Sequence, residues 1–388
     1  MRLAVVASHP IQYHAPLYRC LAERIDLKVF YAHRADANDQ SLAGFGVPFE
    51  WDVDLLSGYR HEFLTNSSRE PGLHHFAGCD SPDINSRLVS GGFDAVLLQG
   101  WQFKSYFQAG QAARRNRLPI LVRGDSQLET PRSLVKRTAK AVVYPAFLRL
   151  FDAALYVGLR SKAYWEHYGY PADRMFFSPH CVDTEWYASR ATQEARAALR
   201  HRLGIPDATK VVLFAGKLVE FKRPLDIVAA AGKLIREGFP IALLIAGDGP
   251  LRQEMENRAR QDGVPAHFLG FCNQTEMPVA YAGADVLILP SSGRETWGLV
   301  ANEALACGKP IIISDAAGCA PDLVGDGAVG RAFPFGDNDK LARAIADTFS
   351  TPPTPAEIAA RSSAYSLHAA VDGILQGCLS VRRVQSSP

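Results

Sequence analysis

Two carboxylates in one short segment carry the strongest chemical signal in the chain. The segment runs Pro290-Ser291-Ser292-Gly293-Arg294-Glu295-Thr296-Trp297-Gly298-Leu299-Val300-Ala301-Asn302-Glu303 and ends at Gly308. A helix is expected to begin near Thr296 and stop at Gly308. Glu303 then lies one turn from Leu299, Val300 and Cys307, on the apolar face of its own helix. A carboxylate there needs a partner, because burying it unpaired costs several kcal/mol. A protein donor or ligand hydroxyls can meet that need. Glu295 precedes the helix, where the amides of Thr296, Trp297 and Gly298 face an anion and Gly298 leaves room for a phosphate. The plainer alternative is that Glu295 caps the helix and Glu303 sits in a structural ion pair.

A second segment tips the balance. Gly216-Lys217-Leu218-Val219-Glu220-Phe221-Lys222-Arg223-Pro224 places a glycine and two or three cations just before a helix that starts at Pro224. Cations at a helix start oppose the helix dipole, so Lys217 and Lys222 make sense when a diphosphate lies between them and the amides. A solvated basic loop is the competing reading.

Two loops of the N-terminal half are also dense in reactive groups. Ser8-His9-Pro10-Ile11-Gln12-Tyr13-His14 follows the first apolar run and offers His9, Gln12 and His14 to a site. Arg123-Gly124-Asp125-Ser126 follows another, and Asp125 is placed to orient a hydroxyl or to cap a helix. Trp101 also stands at a strand end, where its face can support a sugar or simply pack. Asp52-Val53-Asp54 has the look of a metal-binding pair, but the alternation from Phe49 to Leu55 reads as a strand. No metal is expected, because cations rather than a metal meet the phosphates.

The elements that must position these groups alternate along the chain as apolar strands and helical patterns. Strands are expected at Leu3–Ala7, Leu27–Ala32, Ala95–Gln99, Ile120–Val122 and Ala154–Val157, then again at Val211–Ala215, Ala242–Ala246, His267–Leu269, Val286–Leu289 and Ile311–Ser314. That alternation predicts an α/β chain with two doubly wound parallel-sheet domains. The expected limits are 1–185 for an N-terminal domain and 186–363 for a C-terminal one. A helix over 364–378 is expected to pack back on the first domain, and 379–388 to form a polar, flexible tail.

With 388 residues, 47% hydrophobic and 21% charged, the composition is that of an ordinary globular protein, and a net charge of +2 lacks the excess of a nucleic-acid binder. The seven cysteines are scattered and never form Cys-x-x-Cys, which points to neither a disulfide framework nor a zinc site. A cytoplasmic setting is expected. The stretch 134–151, with Lys136, Arg137, Lys140 and Arg149 among apolar residues, suggests peripheral contact with the inner face of a membrane.

Taken in order, Gly216-Lys217 with Lys222, the turn Ala246-Gly247-Asp248-Gly249-Pro250, Phe268-Leu269-Gly270-Phe271, Glu295 with Glu303, and Ser314-Asp315 followed by Gly318 resemble the retaining GT-B glycosyltransferases of glycosyltransferase family 4. The resemblance spans nearly all of 205–350. It implies two Rossmann-like domains facing across a cleft, with UDP- or GDP-sugar as donor, no cofactor, and a glycan or lipid-linked acceptor in surface-polysaccharide or glycoconjugate synthesis. It further implies that Lys217 and Lys222 hold the diphosphate, that Glu303 takes the ribose hydroxyls, that Glu295 touches the transferred sugar, and that backbone near Gly270 and Phe271 meets the base. Lys217 departs from the arginine usual in the family, keeping the charge and losing the two-pronged geometry. The first loop also lacks the family's glycines, so its side chains take over. A nucleotide-sugar epimerase of the same fold and a non-catalytic nucleotide-sugar-binding subunit are the alternatives.

Overall fold

The computed structural model describes residues 1–40 and 48–382. They form two compact units, one built from 1–128, 132–180 and the chain from Leu367 onward, the other from 129–131 and 181–366.

The first unit carries seven parallel strands: β1 (Arg2–Ala7), β2 (Asp26–Tyr31), β3 (Arg60–Phe63), β4 (Ala95–Leu98), β5 (Ile120–Gly124), β6 (Ala153–Tyr156) and β7 (Met175–Phe177). Their spatial order is β3-β2-β1-β4-β5-β6-β7. The central strands are buried along nearly their whole length because helices cover both faces, which is why they read as continuous apolar runs. The order reverses between β1 and β4, so the loops leaving these two strands part and open a crevice at their carboxyl ends.

The helix Leu367–Val381 belongs to this unit and lies against β6, β7 and the helix His14–Ala22. Its approach is close because Gly373 has no side chain: a Cβ there would sit 1.8 Å from the Phe177 carbonyl oxygen. Ser178 Oγ donates to the Ala370 carbonyl at 2.9 Å, and Arg24 pairs with Asp372 at 2.6 Å. Residues 379–381, read from the sequence as tail, are the last turn of this helix; the rest of that tail from 383 lies outside the described residues.

The second unit has six parallel strands: β8 (Lys210–Ala215), β9 (Ile241–Ala246), β10 (Ala266–Gly270), β11 (Val286–Leu289), β12 (Ile311–Ser314) and β13 (Gly330–Phe333). Their order is β10-β9-β8-β11-β12-β13, which repeats the 3-2-1-4-5-6 pattern of dinucleotide-binding folds. Here the switch point falls between β8 and β11.

The strand expected over Phe49–Leu55 does not form. Asp54 turns the chain instead, its carboxylate accepting the backbone N–H groups of Leu56 and Ser57 at 2.9 and 3.1 Å, and Arg19 clamps the turn through Ser57 and Asp54 carbonyls. A hydrogen bond from the Ser57 hydroxyl first, then those from the Leu56 and Ser57 N–H groups, hold the Asp54 carboxyl down at about 2. The third strand of the sheet is Arg60–Phe63, just beyond the turn. Alternating polarity was present, but a local side-chain-to-backbone turn won over the ladder.

Candidate functional site

The two segments that stood out in the sequence are the loops on either side of the second sheet's switch point. Strand β8 delivers Gly216, Lys217 and Lys222; strand β11 delivers Ser291 through Gly298. Lys222 Nζ reaches Glu295 Oε2 at 2.5 Å, and Ser291 Oγ donates to the same oxygen at 3.1 Å. The backbone joins the loops as well, through Ser292 N–H to the Phe221 carbonyl at 2.8 Å. Burial, and then the neighbouring Lys222 charge, hold the Lys217 ammonium below the usual lysine range, with Glu295 acting the other way. Two ammonium groups and one carboxylate therefore share a half-buried crevice.

Glycines make that convergence possible. Gly247, after β9, donates to the Gly270 carbonyl at 2.7 Å, and a Cβ on Gly247 would lie 1.9 Å from the Gly216 carbonyl oxygen. Three strand ends thus meet at backbone distance. Gly216 itself has φ of +141°, a backbone conformation that residues with side chains rarely adopt, and a Cβ there would lie at ordinary contact distance from the Lys222 stem. The Gly270 carbonyl also receives the Cys272 thiol at 3.7 Å. Asp248, beside it, pairs with Arg252 at 2.7 Å.

The helix bearing Glu303 starts at Val300, later than the sequence suggested. Gly298 takes φ of +103°, which interrupts helical geometry, and the loop before it is pinned. Trp297 is buried, its indole N–H donating to Asn302 at 2.8 Å. The Glu295 carbonyl accepts from Gly318 N–H at 2.9 Å and the Trp297 carbonyl from Cys319 N–H at 3.2 Å. Thr296 and Leu299 are half-buried on either side. Trp297 is consequently an anchor of the loop, while Thr296 to Leu299 form its curved edge.

Glu303 is 2% exposed and accepts a hydrogen bond from the Tyr281 hydroxyl at 2.6 Å. Its carboxylate in turn raises the neighbouring Cys307 thiol, after the larger effect of burial. Tyr281 was not singled out from the sequence. It stands in Met277–Gly283, a helix whose apolar character hid the hydroxyl that meets Glu303.

The first unit holds a cavity of about 160 Å³ at its own switch point. It brings together His14, Arg123 and Asp125 with three residues that sequence reading passed over, Gln99, Tyr106 and His180. Arg123 is buried and fastens the chain leaving β7: its guanidinium donates to Ser178 at 3.1 and 3.2 Å and to the Pro179 carbonyl at 2.6 Å. That clamp sets His180 in the cavity wall. His180 follows a strand only three residues long, too short for alternation to register. Burial first, then Arg123, push His14 and His180 well below the usual histidine range. His9 lies next door, with Nδ1 3.0 Å from Ser8 Oγ, and burial lowers it to about 4. The histidines are thus neutral at pH 7.

Gln12 and Trp101 do not line this cavity. Trp101 stacks on Phe151 and meets Trp165 and Phe147 edge-on, in the aromatic cluster beneath the sheet. Among the described residues no group of three or more His, Cys, Asp or Glu is arranged to hold a metal ion, and no helix is long and apolar enough to cross a membrane.

Residues 195–364, which include every group of the β8 and β11 crevice, match the family model for glycosyl transferases group 1. The uncharacterized glycosyltransferase MJ1607 of Methanocaldococcus jannaschii is 35% identical over 127 residues, 32% of each chain. The GDP-mannose-dependent alpha-(1-6)-phosphatidylinositol monomannoside mannosyltransferase of Mycolicibacterium smegmatis is 32% identical over 190 residues, 47% of this chain and 49% of that one. The chain spans about a third to a half of the length of these relatives. Likeness of fold extends further: Anabaena Alr3699/HepE, solved in complex with UDP, superposes over 98% of this chain and 100% of its own, with a TM-score of 0.71 at 18% identity. The chain therefore has the two Rossmann-like domains of GT-B proteins.

Proposed function

We propose that this protein is a retaining glycosyltransferase, moving a hexose-type sugar from a UDP- or GDP-sugar to a glycan or lipid-linked acceptor in surface-polysaccharide or glycoconjugate synthesis. The observation that carries the reading is the placement of Lys217, Lys222 and Glu295 together at the switch point of the second sheet, where nucleotide ligands bind in such folds. The matched glycosyl transferases group 1 segment and the UDP complex of a protein of the same fold support it.

In this reading the second unit binds the donor. Lys217 and Lys222 take the diphosphate, Glu303 the ribose hydroxyls, and Glu295 the transferred sugar. The bond from the anomeric carbon to the β-phosphate oxygen breaks, and an acceptor oxygen bonds to that carbon on the same face. The acceptor proton passes to the departing phosphate. Charge growing on the diphosphate is met by the two ammonium groups, worth most where water is excluded. Because cations fill that role, transfer continues in EDTA. The cavity of the first unit takes the acceptor, with Asp125 and the neutral His14 and His180 as hydrogen-bond partners for its hydroxyls. The setting is the cytoplasm.

The test is titration with UDP and GDP, followed by incubation with the corresponding sugar donors and an anomeric proton NMR time course. Binding of one diphosphate and formation of a product with the donor's anomeric configuration are expected. Sugar isomerised without any acceptor would replace this reading with an epimerase. Failure to bind either diphosphate would end it.

A further inference from the structure

The helix Leu134–Leu148 buries the wrong part of itself for a helix whose only task is to cover a sheet. Val135, Ala139, Val142 and Ala146, spaced four, three and four residues apart, share one face, and all four are exposed. Val135 is 79% exposed and Val142 76%, with Leu134 at 76% and Val143 at 58% on the flanks. The opposite face makes the contacts: Leu148 is buried, and Lys140 Nζ donates to the Tyr164 hydroxyl at 3.0 Å while lying 4.4 Å from the Tyr144 ring. An ordinary surface helix turns its charged residues outward and its aliphatic residues inward. This one shows solvent an aliphatic stripe.

The apolar surface continues beyond the helix. Phe107, exposed, stacks on Phe147 with centroids 5.9 Å apart, and Phe76, also exposed, meets Phe107 edge-on at 5.5 Å. The helix is held ready by Ser133, whose side chain accepts from Lys136 N–H at its start. Charge on the segment has one sign only. From Thr130 to Phe151 there is no aspartate or glutamate, against Arg132, Lys136, Arg137, Lys140 and Arg149. Lys136 and Arg149 are exposed beside the stripe, while Arg137, also exposed, lies on the face that carries Tyr144 and Leu148.

We propose that this face docks on an anionic lipid bilayer, the aliphatic stripe entering the acyl boundary and the flanking cations meeting lipid phosphates. Exposed aliphatic residues bordered by lysine and arginine are the pattern of helices that lie in the bilayer interface. A second copy of the chain fits poorly, because its matching face would set like charges against like. The docking is independent of the transfer reaction and stands or falls on separate measurements.

Flotation of the full chain with phosphatidylcholine vesicles, and with phosphatidylcholine vesicles containing roughly one-third phosphatidylglycerol, tests it. At least ~10-fold greater recovery on the anionic vesicles is expected, declining as salt is raised. The double variant Val135→Asp, Val142→Asp should lose that recovery while keeping the parent's melting temperature and nucleotide affinity, since both side chains already face water. Lys136→Glu with Arg149→Glu provides a second variant expected to fail on anionic vesicles. Equal recovery on both vesicle types, undiminished recovery of either variant, or a concentration-dependent dimer abolished by Val142→Asp would overturn the proposal.

Discussion

Lys222 and Glu295, 73 residues apart, form an ion pair at 2.5 Å that ties the loop after β8 to the loop after β11. The two strands are sheet neighbours, and their loops diverge only past Leu213 and Leu287, where the ladder between them ends. The pair spans the gap that this divergence creates. Each side chain is mostly shielded, at 13% and 15% exposure, so its energetics differ from those of a surface pair.

Glu295→Gln keeps the shape and removes the charge, leaving the mostly shielded Lys222 without its counterion. A loss of about 1–3 kcal/mol is expected. Urea unfolding of Glu295→Gln, Lys222→Met and the double variant should give a coupling energy above ~1 kcal/mol. A coupling near zero would show the pair to be unimportant for the fold.

Lys217→Ala removes a cation that the donor reading sets against the diphosphate. Nucleoside diphosphate affinity should fall roughly 10- to 100-fold, the worth of one charged hydrogen bond, with little change in thermal stability. Calorimetric titration of parent and variant reads this directly. An unchanged dissociation constant would remove Lys217 from the site.

Tyr281→Phe deletes the 2.6 Å donor to Glu303 and nothing else of the ring. Because Glu303 is buried, the change should cost about 1–3 kcal/mol, visible as a lower urea midpoint. Removing both groups, with Glu303→Gln added, should recover part of that loss, since an amide carries no buried charge. If Tyr281→Phe is neutral, Glu303 draws its satisfaction from elsewhere.

The histidine cluster makes the fold acid-sensitive in a defined window. The folded chain holds His9 near 4, below its ordinary 6.5, and lowers His14 and His180 in the same direction. Stability from these groups is therefore complete above pH 6.5, and it is lost as pH falls toward 4, where the unfolded chain binds protons that the folded one refuses. His9 contributes ~3 kcal/mol as an upper bound. Melting temperatures measured from pH 7.5 downward should drop through this window, and His9→Asn should flatten part of the slope. A parallel slope in the variant would contradict the assignment.

Much of this protein was legible in its residues. Strands such as Ile241–Ala246 and Ile311–Ser314, buried on both faces, spell themselves out as uninterrupted apolar runs. Gly216, Lys217, Lys222, Glu295 and Glu303 could be picked out because a charge or glycine at a strand end, or a carboxylate on an apolar helix face, is chemically conspicuous. What no spacing could supply was partnership. That Lys222 meets Glu295, that Tyr281 meets Glu303, and that Arg123 fastens Ser178 and Pro179 so as to set His180 beside His14 are products of strand order, which brings together loops dozens of residues apart. The start of the helix at Val300 and the turn at Asp54 were likewise decided in three dimensions, where Gly298 took a positive φ and the Asp54 carboxylate offered the backbone better hydrogen bonds than the local pattern foretold.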